Sequence, residues 1–295
     1  MKKTFFKMFV IFVLALALTS GAFALVGCHK KTADVDYSTD NDFEVETKEY
    51  VFNPNDEEEY RFGAVVYSPQ GAIAKYGFVF FVGSFIASEY YDYLATALAQ
   101  QGYVVAIPNV MANSAYTYYE ENTKVATEKV FDMFKDVKFF VGGHSQGGGA
   151  AMRFAEEEES HILGAVFFAP LCYTTNKQNP NYDPYDPESK PWEYDEDGNV
   201  IVVRDTLENS TLPTLLLEAS NDHVLTAAQK QDALERMSKN CTRFVLQKAS
   251  HMGFSTLKLS LAGDGEDITD EDLATQRGLT IERTLAFLRS VVGKN

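Results

Sequence analysis

Eight apolar or alternating runs, at 46–52, 61–68, 77–83, 103–107, 138–142, 163–169, 214–219 and 242–247, constrain this chain more than any other feature. The first two follow one another directly, and from the third onward most are separated by segments with helical periodicity. Strands first and strand–helix alternation afterwards predict an antiparallel edge leading into a mostly parallel sheet. The helical segments carry signals of their own. Ser88 is placed to cap a helix whose Tyr91, Leu94, Ala95 and Leu98 share one face, and Gly102 stops it. A second helix is expected over about 117–135. A third begins at residue 145 and runs to about Glu158, ending in the acidic block Glu156 to Glu159, a solvated face. Thr269 and Asp272 have capping-box character and open a last helix to about Val292.

The fifth run leads into Gly143-His144-Ser145-Gln146-Gly147, followed by the small residues Gly148-Gly149-Ala150-Ala151. A strand, a sharp turn and a helix in that order lift the central serine out of the chain, and the flanking glycines remove Cβ atoms that would clash in the turn. Ser145 is therefore the candidate nucleophile. A serine hydroxyl attacks poorly at neutral pH unless a base takes its proton. Of the five histidines, His29 lies in a polar N-terminal stretch, His144 adjoins the serine, His161 precedes the sixth run and His223 adjoins a candidate acid. That leaves His251, in the loop Ser250-His251-Met252-Gly253-Phe254 after the eighth run. Asp222 follows the seventh run through Glu218-Ala219-Ser220-Asn221, where a carboxylate would orient the imidazole and stabilise its charged form. Glu218 lies within the strand on this register and points elsewhere. The competing role for Asp222 is capping a helix from about Ala227.

The elbow and the order Ser145, Asp222, His251 resemble the α/β-hydrolase superfamily over roughly Tyr60 to the C-terminus. The likeness is to small bacterial single-domain members, in a superfamily dominated by serine esterases and related acyl hydrolases. It implies an α/β-hydrolase fold: a mostly parallel eight-stranded sheet with helices on both faces and a short cap insertion between strands 6 and 7. It also implies that Val82-Gly83-Ser84-Phe85 supplies part of an oxyanion hole, with Ser84 or, by preference, Phe85 joining the backbone N–H of Gln146. Gly263-Asp264-Gly265 matches a stretch that follows the histidine in such proteins. Ala219 and Ala249-Ser250 depart from the more usual Gly and Gly-Asn. The expected reaction is cleavage of a small-molecule or polymer ester through an acyl-enzyme, with no metal and no organic cofactor. The elbow and triad do not choose the leaving group, so peptidase, thioesterase and polyesterase activities stay open. So does a catalytically inactive surface binding protein.

The stretch 171–210 breaks the alternation, with Pro180, Pro184, Pro187 and Pro191 and the aromatics Tyr173, Tyr182, Tyr185, Trp192 and Tyr194. It is the expected cap. Tyr173 and Trp192 are candidate substrate-binding residues, although such aromatics can equally glue an insertion to its domain. Trp192 to Val203 resembles a β-hairpin turning at Asp197-Gly198. Asp195 and Asp197 are too few for a calcium loop.

At the N-terminus, Lys2, Lys3 and Lys7 precede the apolar stretch Met8 to Leu18, too short to span a bilayer and suited to a signal peptide over 1–27. Leu25-Val26-Gly27-Cys28 resembles a bacterial lipobox, which makes Cys28 the candidate lipidation site of an exported, envelope-anchored protein. Cleavage after Ala24, giving a secreted form, is the rival. Residues 28–42 read as a flexible tether and 43–295 as one domain, long enough for a full core. Cys172 and Cys241 are expected to be separate thiols, although the sequence leaves their pairing open. The formal charge is −16, and loss of the three leader lysines makes it −19. Such a surface disfavours nucleic acid and anionic lipid heads, so membrane contact is expected through the anchor alone.

Overall fold

The computed structural model describes residues 33–57, 61–177, 179, 181, 182, 185, 189–259, 261 and 263–293, so the leader and Cys28 lie outside the described residues. The eight runs form strands β1 (Val45–Val51), β2 (Gly63–Pro69), β3 (Tyr76–Phe81), β4 (Val104–Asn109), β5 (Lys138–His144), β6 (Ile162–Phe168), β7 (Thr214–Ala219) and β8 (Cys241–Leu246). They join one sheet in the order β1-β2-β4-β3-β5-β6-β7-β8. β2 runs antiparallel to both its neighbours, and every other pairing is parallel. The inner strands read as continuous apolar runs because both faces of the sheet are covered. Alternate side chains divide between two cores: Phe78, Phe80, Phe140, Phe168 and Leu217 on one face, Val79, Phe81, Val141, Phe167 and Leu216 on the other.

Among the described residues five α-helices accompany the sheet: α1 (Asp92–Gln100), α2 (Lys124–Met133), α3 (Gln146–Glu157), α4 (Ala227–Glu235) and α5 (Asp270–Val292). Ser88 does not cap α1. It lies inside a 3₁₀ turn, Ser88–Tyr91, makes no capping bond, and is buried where the turn carries Tyr91 into the core. α2 begins later than expected because a π-turn, Tyr119–Thr123, precedes it. The capping box on α5 is as expected: Thr269 Oγ1 accepts from Asp272 N at 3.1 Å and the Asp272 carboxylate accepts from Thr269 N at 3.1 Å. α4 has its own box, built by Thr226 and Gln229, so capping that helix is not the task of Asp222.

The packed domain starts before Phe43. Val35 and Tyr37, apolar residues within the expected tether, are buried. The Tyr37 hydroxyl donates to the Gly102 carbonyl at 2.9 Å and accepts from Lys75 N at 3.0 Å, while its ring meets Tyr76 and Tyr103 edge-on. Gly102, at φ +95°, both ends α1 and leaves room for this segment, since a Cβ there would fall 2.3 Å from Val35 Cγ1.

Between β6 and β7 the chain forms a short ribbon, Thr174–Asn176 antiparallel to Val202–Arg204. The hairpin turn is present, with a Tyr194–Val200 bridge, Gly198 at φ +83° and the Asp195 carboxylate accepting from Asp197 N and Asn199 N. The returning strand pairs with residues 174–176, which the sequence reading did not anticipate. Buried Arg236 ties the base of the ribbon down, donating to the carbonyls of Tyr173 and Asp205 and to Thr174 Oγ1. Cys172 and Cys241 are free thiols. Thr269→Ala removes one half of the α5 capping box and should lower the free energy of unfolding by about 1 kcal/mol, read from the urea midpoint at unchanged slope.

Candidate active site

Ser145 stands between β5 and α3 at φ 54°, ψ −120°, a conformation that non-glycine residues seldom adopt. The glycines on either side make the turn possible. A Cβ on Gly143 would lie 2.2 Å from the Gly147 carbonyl oxygen, and one on Gly147 would lie 2.2 and 2.3 Å from the carbonyl oxygens of Phe81 and Val82. Backbone bonds fix the strained residue: Ser145 N donates to Phe168 O at 3.0 Å, and Ser145 O accepts from Gly148 N and Leu171 N, each at 2.9 Å. The hydroxyl-bearing residue is only half-buried.

Asp222 and His251 meet directly, with Asp222 Oδ2 2.9 Å from His251 Nδ1 and both side chains buried. An ionised carboxylate only accepts, so Nδ1 carries the proton in this bond and Nε2 is left as the basic atom. The other oxygen, Oδ1, accepts from Val224 N and Leu225 N at 2.9 Å each. Burial pushes the Asp222 carboxyl upward, but the bond to His251, its charge, the Leu225 N–H and Lys230 together hold it below the ordinary carboxylate range. Glu218, as its register predicted, points away and pairs with Arg243 on β8.

His144 is wholly buried beside the candidate base, its ring centroid 4.7 Å from that of His251. Its Nδ1 lies 2.8 Å from the Tyr91 hydroxyl, which also accepts from Gly83 N at 3.0 Å and so has its proton to give to the imidazole. Burial first, and the neighbouring His251 second, lower the His144 pKa well below the usual histidine value. A neutral ring there spares His251 a competing positive charge.

The loop after β3 separates the two candidate oxyanion donors. Phe85, at φ 59° and 76% exposed, uses its N–H on the Asn113 carbonyl at 2.9 Å. The Ser84 N–H has no hydrogen-bond partner among the described residues. The Gln146 N–H opens α3 and has no intrahelical acceptor. The Gln146 side chain braces the elbow against the neighbouring loop, its Oε1 accepting from Ser114 Oγ at 2.8 Å. Tyr173 packs close to Gly149 on α3 and stacks on Tyr116 at 3.9 Å between centroids, and the Tyr116 hydroxyl donates to Asp205 at 2.6 Å. Trp192 is half-buried in the insertion and has no ring contact with these residues among those described.

Two residues that hold the His251 loop were not assigned a role from the sequence. Buried Asp264 accepts from His251 N at 3.0 Å, Met252 N at 3.0 Å and His223 N at 3.2 Å. Gln276, on α5, accepts from Ser250 N at 3.0 Å and donates to Ser250 O at 2.9 Å. The signal for the first was an acid between two glycines, both of which adopt positive φ. For the second it was an uncharged polar residue on the inward face of a helix.

Residues 77–183 match the model of the Alpha/beta hydrolase family, a span that includes the elbow and ends before Asp222 and His251. Among solved structures, the crystal structure of a predicted CIB-like hydrolase from Thermoplasma acidophilum aligns with 84% of this chain and 100% of its own, at 17% identity and a TM-score of 0.51. The chain has the α/β-hydrolase fold. No curated protein matches it. In this α/β-hydrolase fold the candidate residues gather at the carboxyl ends of β3, β5, β7 and β8, the edge where ligands of parallel sheets bind.

The depressed Asp222 pKa has a definite pH signature. Its native value lies below the unfolded value near 4, so its stabilising contribution is complete above that pH and is lost as the pH falls through the native value. The stability gap between the native protein and Asp222→Asn should therefore shrink as the pH drops below about 4, seen as converging urea midpoints. Parallel midpoints across that range would contradict the assignment.

Proposed function

We propose that this protein is a serine hydrolase that cleaves carboxylic esters through an acyl-enzyme. The observation that carries the reading is the Asp222–His251 hydrogen bond, buried beside a strained Ser145 elbow whose preceding residue packs its ring on His251. In this reading Ser145 Oγ attacks the ester carbonyl and His251 Nε2 takes its proton. Asp222 holds the imidazole in the required tautomer and stabilises the imidazolium. His251 then protonates the leaving alcohol, and afterwards draws a proton from the water that frees the acyl group.

The tetrahedral oxyanion is assigned to the backbone N–H groups of Gln146 and Ser84. The Phe85 N–H, the preferred donor on sequence grounds, is committed to Asn113, so that role passes to Ser84. Preorganised donors of this kind contribute because they need no reorientation as charge develops. The Tyr116–Tyr173 stack, pinned beside the elbow by Asp205 and Arg236, supports Tyr173 as a wall of the substrate site. Trp192 has no such support. Export and attachment through lipid at Cys28 complete the proposal and rest on the leader sequence alone.

Ser145→Ala should lower kcat on p-nitrophenyl esters by about 10⁴-fold or more. A fluorophosphonate probe should label the native protein and leave this variant unmodified, and a native protein that takes no label would favour the inactive binding protein instead. Radiolabelled palmitate fed to expressing bacteria should enter the native chain and not Cys28→Ser. Equal incorporation would overturn the anchor.

A further inference from the structure

We propose that Asp264, assisted by Gln276, is a positioning residue that sets His251 in register with Asp222, an inference that rests on the esterase reading. The loop carrying the base has no strand or long helix of its own, because β8 ends at Leu246 and only a 3₁₀ turn, Met252–Phe254, follows His251. Its backbone must be held from outside. Asp264 does this with both oxygens: Oδ1 receives the N–H groups of His251 and His223, and Oδ2 receives that of Met252. His223 is the residue after the acid. One carboxylate therefore grips the loop that carries the base and the loop that carries the acid, and couples the two in a single frame.

The chemistry of the grip requires an ionised acid. Asp264 is 7% exposed and has no ion-pair partner among the described residues, so backbone N–H dipoles alone compensate its charge. An amide has one acceptor oxygen where three donors arrive on two. Turning an asparagine either way points its NH₂ at a backbone N–H. The flanking glycines let the side chain aim inward: Gly263 and Gly265 lie at φ +87° and +74°. Gln276 completes the grip from α5 by pairing with both backbone groups of Ser250, and Gly253 fits against it with no room for a Cβ, which would come within 2.0 Å of Gln276 Oε1. Ser250, His251 and Met252 are thus held at consecutive positions by two buried side chains. Neither side chain reaches the reacting atoms.

The test uses Asp264→Asn in the otherwise native protein, with the end-point of fluorophosphonate labelling counting the folded, competent sites. A displacement of about 1 Å in a base costs on the order of 10²-fold in rate. The expected result is a fall in kcat per labelled site of at least about tenfold with KM unchanged, and an equal fall in the rate of labelling. The downfield proton of the His251–Asp222 bond, assigned by its absence from Asp222→Asn, should shift or disappear. If Asp264→Asn does not fold, Gln276→Glu, which sets a carboxylate against the Ser250 carbonyl, carries the same readouts. A kcat per labelled site within twofold of native, or an unchanged downfield resonance, would overturn the inference. If the native protein neither labels nor hydrolyses esters, the functional reading fails by itself, and the resonance still decides the clamp.

Discussion

The contact on which the rest of this structure depends is the close approach of α3 to the end of β3. Gly147 lies against the carbonyls of Phe81 and Val82, and any side chain there would drive the first turn of α3 away from the sheet. That approach holds Ser145 in its unusual backbone conformation, and the bonds from Ser145 to Phe168 and Leu171 carry the same constraint to β6 and into the insertion. Strain of this kind persists only where surrounding structure over-determines it. Here a strand end, a helix start and a neighbouring strand all do so.

Around the elbow the chain solves a problem of buried polarity. His144, His251, Asp222 and Asp264 are all withdrawn from solvent, and each has a protein partner, although His144 Nε2 itself has none among the described residues. The partners are mostly backbone N–H groups, which supply partial positive charge without a mobile cation. Tyr91 links this cluster to the loop after β3 by accepting from Gly83. The candidate base, the elbow and the candidate oxyanion loop are therefore packed as one unit.

Much of this was legible in the sequence. The eight strands fall within about two residues of their apolar or alternating runs, and the inner ones stand out most because burial on both faces forces continuous hydrophobic stretches. Ser145, Asp222 and His251 could be named as candidates because each follows a strand, so topology alone brings them to one edge. What stayed hidden depended on backbone hydrogen bonds. The loss of Phe85 as a donor turns on where the Asn113 carbonyl sits, and the grip of Asp264 on three N–H groups leaves no trace in periodicity. Ser88 looked like a cap because the tight 3₁₀ entry to α1 cannot be told from an α-helical start by composition. The docking of Val35 and Tyr37 is not legible because they are two apolar residues among many polar ones. They dock because Tyr37 satisfies three backbone groups at once.

The early docking of Val35 and Tyr37 also sets a distance. With the proposed lipid on Cys28, only seven peptide units separate the acyl chains from buried Val35, and a fully stretched chain covers at most about 3.6 Å per residue. The globule would then ride within roughly 25 Å of the headgroups. Such an enzyme would survey the bilayer surface and whatever lies against it, and would have little reach into the space beyond.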